Sequence, residues 1–188
     1  MQIPMFTPPT EWVMPDGYPD LSSYREIAID LETKDPNLTT YGAGWARGDG
    51  HIIGIAVAVE GASWYFPIRH ELGPNFDAKR TLKWLQEVVC VERDYVFHNA
   101  QYDVGWLMAE GIEVAGRWGD TMIVAPLLDE NRFSYALNAL GRDYLEERKS
   151  ERELREAAET FGVNAKSEMY KLPAAHVGQY AEQDAALT

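Results

Sequence analysis

Three short stretches place side chains able to bind metal or move protons at fixed spacings. In "IAIDLETKDP", residues 27 to 36, Asp30 and Glu32 lie two apart at the end of an apolar run. On an extended strand they project to the same side. In "HNAQYDVGWL", Asn99 and Asp103 are four apart where a strand passes into a helix. In "YAEQDAALT", Tyr180 and Asp184 are four apart on a helix, so they share a face. Carboxylate oxygen is the ligand that hard ions such as Mg²⁺ choose, and carboxylates converging without a cation repel and titrate upward. Asp30 and Glu32 aimed together therefore call for a metal between them. Two such ions, roughly 4 Å apart, suit phosphodiester hydrolysis, in which charge builds at phosphorus and at the leaving 3′-oxygen. Any one pair alone is a weak signal, because carboxylates on strand ends and helices are mostly solvated. The joint pattern is what discriminates.

The elements that must position these residues follow from periodicity. "REIAIDLE" reads as a strand with Ile27, Ile29 and Leu31 on one face and Ala28, Asp30 and Glu32 on the other. "TKDPNLTTYGAGWARGDG" reads as a loop; its Gly42 and Gly44 lack the spacing of a dinucleotide-binding turn. "HIIGIAVAVE" and "SWYFPI", joined at Gly61, complete an antiparallel meander. From Asp77, an expected N-cap, the period turns helical, with Leu82, Leu85 and Val89 on one face. "DYVFHN" is a fourth strand, "AQYDVGWLMAEG" a helix ended by Gly111, and "EVAGRWGD" a fifth strand and turn. Helices follow in "DTMIVAPLLDE", capped by Asp120 and limited by Pro126, and in "SYALNALGRDYL". Ser150 and Glu153 predict a capping box for "ERELREAAETF", which Gly162 ends, and Pro173 is expected to open a last helix reaching the C-terminus. The prediction is an α/β domain with a mixed five-stranded sheet, three antiparallel strands and then parallel ones, flanked by helices. Residues 1–24, rich in proline and aromatics, read as an extended arm, and residues 25–188 as the domain.

Composition bounds the rest. The 188 residues suffice for one core, and 46% hydrophobic with 25% charged residues is ordinary for a globular chain. A net charge of −13 argues against a broad basic groove for nucleic acid, although bound metal could supply positive charge at one spot. The single cysteine, Cys90, excludes an intrachain disulfide and a cysteine-based zinc cluster, and its apolar neighbours predict burial. The N-terminus does not read as a signal peptide, and "IIGIAVAV" is too short to cross a bilayer, so the expectation is a soluble, cytoplasmic protein without membrane partners.

The joint pattern resembles the three Exo motifs of the DEDDy 3′–5′ exonucleases, in the DnaQ-like, ribonuclease H-like superfamily. "IDLET" resembles the first motif, "HNAQYD" the second and "YAEQDAALT" the third. The stretch "DTMIVAPLLDENRFSYALNALGRDYL" is similar to the segment between the last two motifs in family A DNA polymerases, notably phage-type ones. The resemblance runs from about residue 25 to the C-terminus and implies a ribonuclease H-like fold. It implies two divalent ions held by Asp30, Glu32, Asp103 and Asp184, with Tyr180 positioning the attacking water and Thr33 and Asn99 near the terminal nucleotide. Four acids without Cys or His suit Mg²⁺ or Mn²⁺, not zinc. The expected activity is hydrolysis at single-stranded DNA 3′ ends with release of nucleoside 5′-monophosphates, as proofreading for a polymerase domain or subunit. For a phage-encoded chain the compartment would be the host-cell cytoplasm. A ribonuclease D-like exoribonuclease, or a catalytically silent single-strand-binding module, are the alternatives.

Other residues carry blander expectations. His98 is read as packing beside the second motif, His176 as a surface histidine, and Asp120 as a helix cap. The charge run "LEERKSERELREAAE" is read as solvated helix faces. Trp45, Tyr102, Phe133, Tyr135 and Tyr170 could stack on bases, and Lys34, Arg132, Lys166 and Lys171 could meet phosphates.

Overall fold

The structure, a computed structural model, describes residues 4–147 and 149–188. Its frame is one five-stranded sheet: β1 (Glu26–Lys34), β2 (His51–Val59), β3 (Ala62–Pro67), β4 (Asp94–Phe97) and β5 (Arg117–Asp120). The strand order is β3-β2-β1-β4-β5, antiparallel from β3 to β1 and parallel from β1 to β5. This is the mixed sheet the sequence predicts. Among the described residues seven α-helices surround it: α1 (Leu38–Tyr41), α2 (Ala78–Val89), α3 (Ala100–Ala109), α4 (Thr121–Leu128), α5 (Leu137–Tyr144), α6 (Arg152–Phe161) and α7 (Gly178–Leu187).

The two faces of the sheet bury different residues. On one face Ile27, Ile29 and Leu31 of β1 pack with Leu85 and Val89 of α2 and with Trp106 and Leu107 of α3. On the other, Ala56, Ala58 and Tyr65 pack against Leu154 and Phe161 of α6 and Ala181 and Ala185 of α7. Strand β2 is covered on both sides, which is why it reads as an unbroken apolar run and not as an alternation. Fully burying a side chain such as Ile27 contributes about 1.5–3 kcal/mol.

One irregularity interrupts the β1–β2 ladder. Glu32 pairs with Gly54, yet Thr33 pairs with Ile52, so Ile53 is an extra residue on β2. Such a bulge switches parity, and Ile52 and Ile55 consequently face the same core while Ile53 faces the other. Gly54 is required there, because a Cβ on it would lie 2.0 Å from the Tyr65 hydroxyl.

Residues 4–24 contain no helix or strand and are pinned at both ends of their course. Tyr18 stacks on Trp84 at 5.0 Å and its hydroxyl lies 2.8 Å from Thr81 Oγ1. Trp12 lies over Gly178, and its Nε1 donates to Glu182 Oε1 at 2.8 Å.

Several local expectations need correction. The loop after β1 contains α1 and a 3₁₀ turn, Gly44–Arg47. Cys90 is exposed, because it follows the buried Leu85–Val89 face of α2 by one residue and so points away from the core. Ser150 is not the cap of α6; Glu151 holds that position without a side-chain bond, and the Ser150 amide donates to Gln183 Oε1. Pro173 opens only a 3₁₀ turn, Ala174–His176, and α7 begins afresh at Gly178. That break carries His176 inward, where it is 7% exposed and packed near Phe161, and burial lowers its pKa.

Candidate active site

The pleat of β1 aims Asp30 and Glu32 at the face covered by α7, and the bulge follows directly after Glu32. From the opposite side α7 delivers Asp184, one turn after Tyr180. One carboxylate oxygen from each of Asp30, Glu32 and Asp184 lies within 4.8 Å of the others. Asp103 reaches the same region from the first turn of α3, but its Oδ1 accepts from the Leu31 amide at 3.0 Å, and it is not among the three that converge so closely.

A second carboxylate fixes the entry to α3. Asp120 accepts from the Asn99 amide at 3.0 Å, the Ala100 amide at 2.8 Å and the Met122 amide at 2.9 Å. It is the expected cap of α4, and it also holds Asn99 in the left-handed region, φ +70°. Asn99, an exposed residue, then lines a cleft of about 320 Å³ with Glu32, Thr33, Tyr102, Lys166 and Tyr180. Thr33 Oγ1 and the Tyr102 hydroxyl are 2.7 Å apart. A larger cavity, about 770 Å³, opens elsewhere, beside Arg25, Ala28 and Thr188, and Asp30, Glu32, Asp103 and Asp184 do not line it.

The acids sit in an environment that disfavours their charge. Burial, and then the Asp184 charge, push Asp30 up to about 7, against the opposing effect of Lys149. Glu32 is raised well above the usual carboxylate range by burial and then by Asp30 and Asp184. Burial raises Asp103 as well, with the Leu31 amide opposing, and raises Asp184 in spite of Lys149. Tyr180 is raised too, by burial and then by Glu32. Among the described residues, Asp184 Oδ1 is buried with no hydrogen-bond partner. Oxygen-only donors, mutual repulsion and an orphaned carboxylate oxygen together fit a hard divalent cation.

Sequence reasoning missed Lys149. Its ammonium donates to Tyr180 Oη at 2.7 Å and to Asp184 Oδ2, and it lies 3.9 Å from the centroid of the Tyr180 ring. It belongs to the charge run read as solvated, and no local signal separates it from its charged neighbours. Of the four cations considered for phosphate, Lys166 lines the cleft. Lys34 is 3.9 Å from Glu71, Arg132 pairs with Asp143, and Lys171 pairs with Glu168. Among the aromatics Tyr102 lines the cleft, Trp45 packs over Gly105, and Phe133 projects into solvent.

A family model described as a 3′–5′ exonuclease, that of A-type DNA polymerases, matches residues 16–188. The chain belongs to this 3′–5′ exonuclease family. The exonuclease domain is 37% identical to a DNA-directed DNA polymerase of Pseudomonas phage M6, over all of this chain and 29% of that protein. It is 32% identical to DNA polymerase DpoZ of Salmonella phage PMBT28, over 90% of this chain and 26% of that protein. The chain thus spans about three-tenths of the length of these relatives. Brucella melitensis NrnC with bound Mg²⁺ shares the fold of the exonuclease domain, with a TM-score of 0.58 at 16% identity over 89% of this chain and 71% of that one. Among the described residues no helix of the exonuclease domain is long and apolar enough to cross a membrane.

Proposed function

We propose that the domain is a metal-dependent exonuclease that hydrolyses the terminal phosphodiester at single-stranded DNA 3′ ends, releases nucleoside 5′-monophosphates and proofreads for a DNA polymerase. The observation that carries this reading is the convergence of the Asp30, Glu32 and Asp184 carboxylates beside Tyr180. Asp30, Glu32 and Asp184, with Asp103 alongside, would hold two Mg²⁺ or Mn²⁺ ions. When bound, such ions supply Lewis-acid activation of water and offset charge on the leaving 3′-oxygen. Tyr180 retains its proton, since burial raises its pKa, and its hydroxyl orients the attacking water. Thr33 and Asn99, in the cleft beside Glu32, meet the terminal nucleotide. In a chain of net charge −13, cations held at this spot would also offset the repulsion felt by an incoming polyanion. Residues 25–188 act as the catalytic domain; of the arm of residues 1–24, residues 1–3 lie outside the described residues, and the rest braces α7 through Trp12. The polymerase partner is the remainder of a longer chain of the kind the phage relatives represent, working in the host-cell cytoplasm.

The test uses 3′-labelled single-stranded DNA and RNA of matched sequence with Mg²⁺ or Mn²⁺. Stepwise release of mononucleotides from DNA is expected, abolished by EDTA and by a 3′-phosphate. Faster trimming of RNA would replace the DNA reading with a ribonuclease D-like one. Absence of release from both, with metal bound, would leave a silent binding module.

A further inference from the structure

A lysine ammonium enclosed among carboxylates is not a solvated charge. The Lys149 side chain is 9% exposed and that of Asp184 8%. Its partners, Asp184 and Tyr180, are both on α7, and one of its three protons points at a carboxylate oxygen while another meets the tyrosine hydroxyl. The ammonium also lies over the tyrosine ring, a cation–π contact that strengthens with desolvation. Its charge is felt by Asp30, Glu32 and Asp184, the three acids whose oxygens converge.

The element that brings Lys149 is different in kind from those that bring the acids. The acids stand on a central strand and on helices packed against the sheet. Lys149 stands in the connection between α5 and α6, outside any helix or strand, tethered by its amide to Asn138 Oδ1 at 3.3 Å and through Ser150 to Gln183. Glu146, earlier in this connection, holds φ +58°, a region costly for a residue with a side chain. A lysine stem is long and flexible, so its ammonium can withdraw to solvent while the acids stay in place.

We propose that Lys149 is the built-in counter-ion of the metal-free site, an internal cation that competes with the divalent ion and must be expelled for it to bind. The proposal rests on the metal-binding reading above. An ammonium and a divalent cation cannot share the Asp184 carboxylate without strong repulsion in a buried site. Tyr180 is held by the same ammonium, so its hydroxyl is freed for water only when the lysine leaves. The three converging acids are thereby spared a site with no positive charge, at a cost in metal affinity.

Two measurements test this on the full 188-residue chain. In the first, the wild-type protein is briefly labelled with an amine-selective reagent in EDTA or in saturating Mn²⁺, and peptide mass spectrometry reads each lysine. Lys149 should be protected in EDTA and become several-fold more reactive with Mn²⁺, while Lys83, whose side chain is 78% exposed, stays constant. Mn²⁺ bound, as seen by electron paramagnetic resonance, with no rise in labelling at Lys149 overturns the proposal. No Mn²⁺ binding by the wild-type protein overturns the metal reading and the proposal with it. In the second, Lys149→Met should bind Mn²⁺ roughly tenfold more tightly, the equivalent of one charge-assisted hydrogen bond no longer broken. Equal or weaker binding would overturn the proposal. Should that variant fold only when Mn²⁺ is added, that rescue supports the counter-ion role; should it not fold at all, the wild-type labelling decides.

Discussion

The Oδ1 atom of Asp103 accepts a hydrogen bond from the backbone amide of Leu31, the residue between Asp30 and Glu32. This one bond, 3.0 Å long, ties the start of α3 to the strand that carries the first two acids. Asp103 is thus a strut as well as a proposed ligand, and the two roles separate by mutation. Asp103→Asn keeps an oxygen for the amide but loses the anionic ligand. It should fold normally and lose nuclease activity by about 100-fold or more. Asp103→Ala leaves the Leu31 amide buried and unpaired, an added cost of about 1–3 kcal/mol. Equal activity in Asp103→Asn and wild type would remove Asp103 from the metal set.

Tyr180→Phe removes a hydroxyl that the proposed reaction uses only to orient water. Cleavage should slow roughly tenfold, the scale of one hydrogen bond, with Mn²⁺ affinity no weaker than in the wild type, since Lys149 also loses a partner. Complete loss of cleavage with metal still bound would give the tyrosine a larger part than orientation.

His70 gives a pH dependence independent of the acids. Its Nδ1 faces the Leu172 carbonyl at 2.8 Å, which can only accept, so the proton sits on Nδ1, and Nε2 accepts from the Tyr65 hydroxyl at 2.7 Å. Burial pushes its pKa down from 6.5 to about 4. A histidine depressed in the folded state contributes stability above its unfolded pKa and loses it as pH falls through the folded one. The window is therefore pH 6.5 down to about 4, and the difference corresponds to on the order of 3 kcal/mol. His70→Gln should show a Tm that declines less between pH 7 and about 4.5 than the wild type. Parallel declines would mean that His70 does not drive acid destabilisation.

Trp12 and Gly178 form a fitted pair at the start of the helix bearing Tyr180 and Asp184. A Cβ on Gly178 would come within 2.0 Å of the indole ring, so Gly178→Ala must displace the arm or the helix. Trp12→Ala instead leaves a void and removes one of the two hydrogen bonds that Glu182 Oε1 accepts, the one from the Tyr65 amide remaining. Each should lower stability in urea denaturation, Trp12→Ala by about 2–4 kcal/mol, and lower activity along with it. Wild-type activity in both variants would show that the arm does not brace the site.

The mixed sheet and the pairing of the acids were legible because they rest on local rules. Alternation in β1 separates Ile27, Ile29 and Leu31 from Asp30 and Glu32, and four-residue spacing on a helix aligns Tyr180 with Asp184. Caps at Asp77 and Asp120 were legible for the same reason. Cys90 and His176 were misplaced because burial depends on which way an element's end turns, and neither the break before Gly178 nor the residue that caps the C-terminus of α2 has a periodic signature.

By itself, then, the sequence determined which side chains share a face, since backbone geometry fixes that within a single element. Tertiary structure alone decided which faces meet: that α7 brings Asp184 onto the Asp30–Glu32 face, that Asp103 turns to the Leu31 amide, and that Lys149 leaves a run of surface charges to lie among the acids. The physical reason is that a long charged side chain takes its place from the strongest field within its reach, and that field is made by residues distant in sequence.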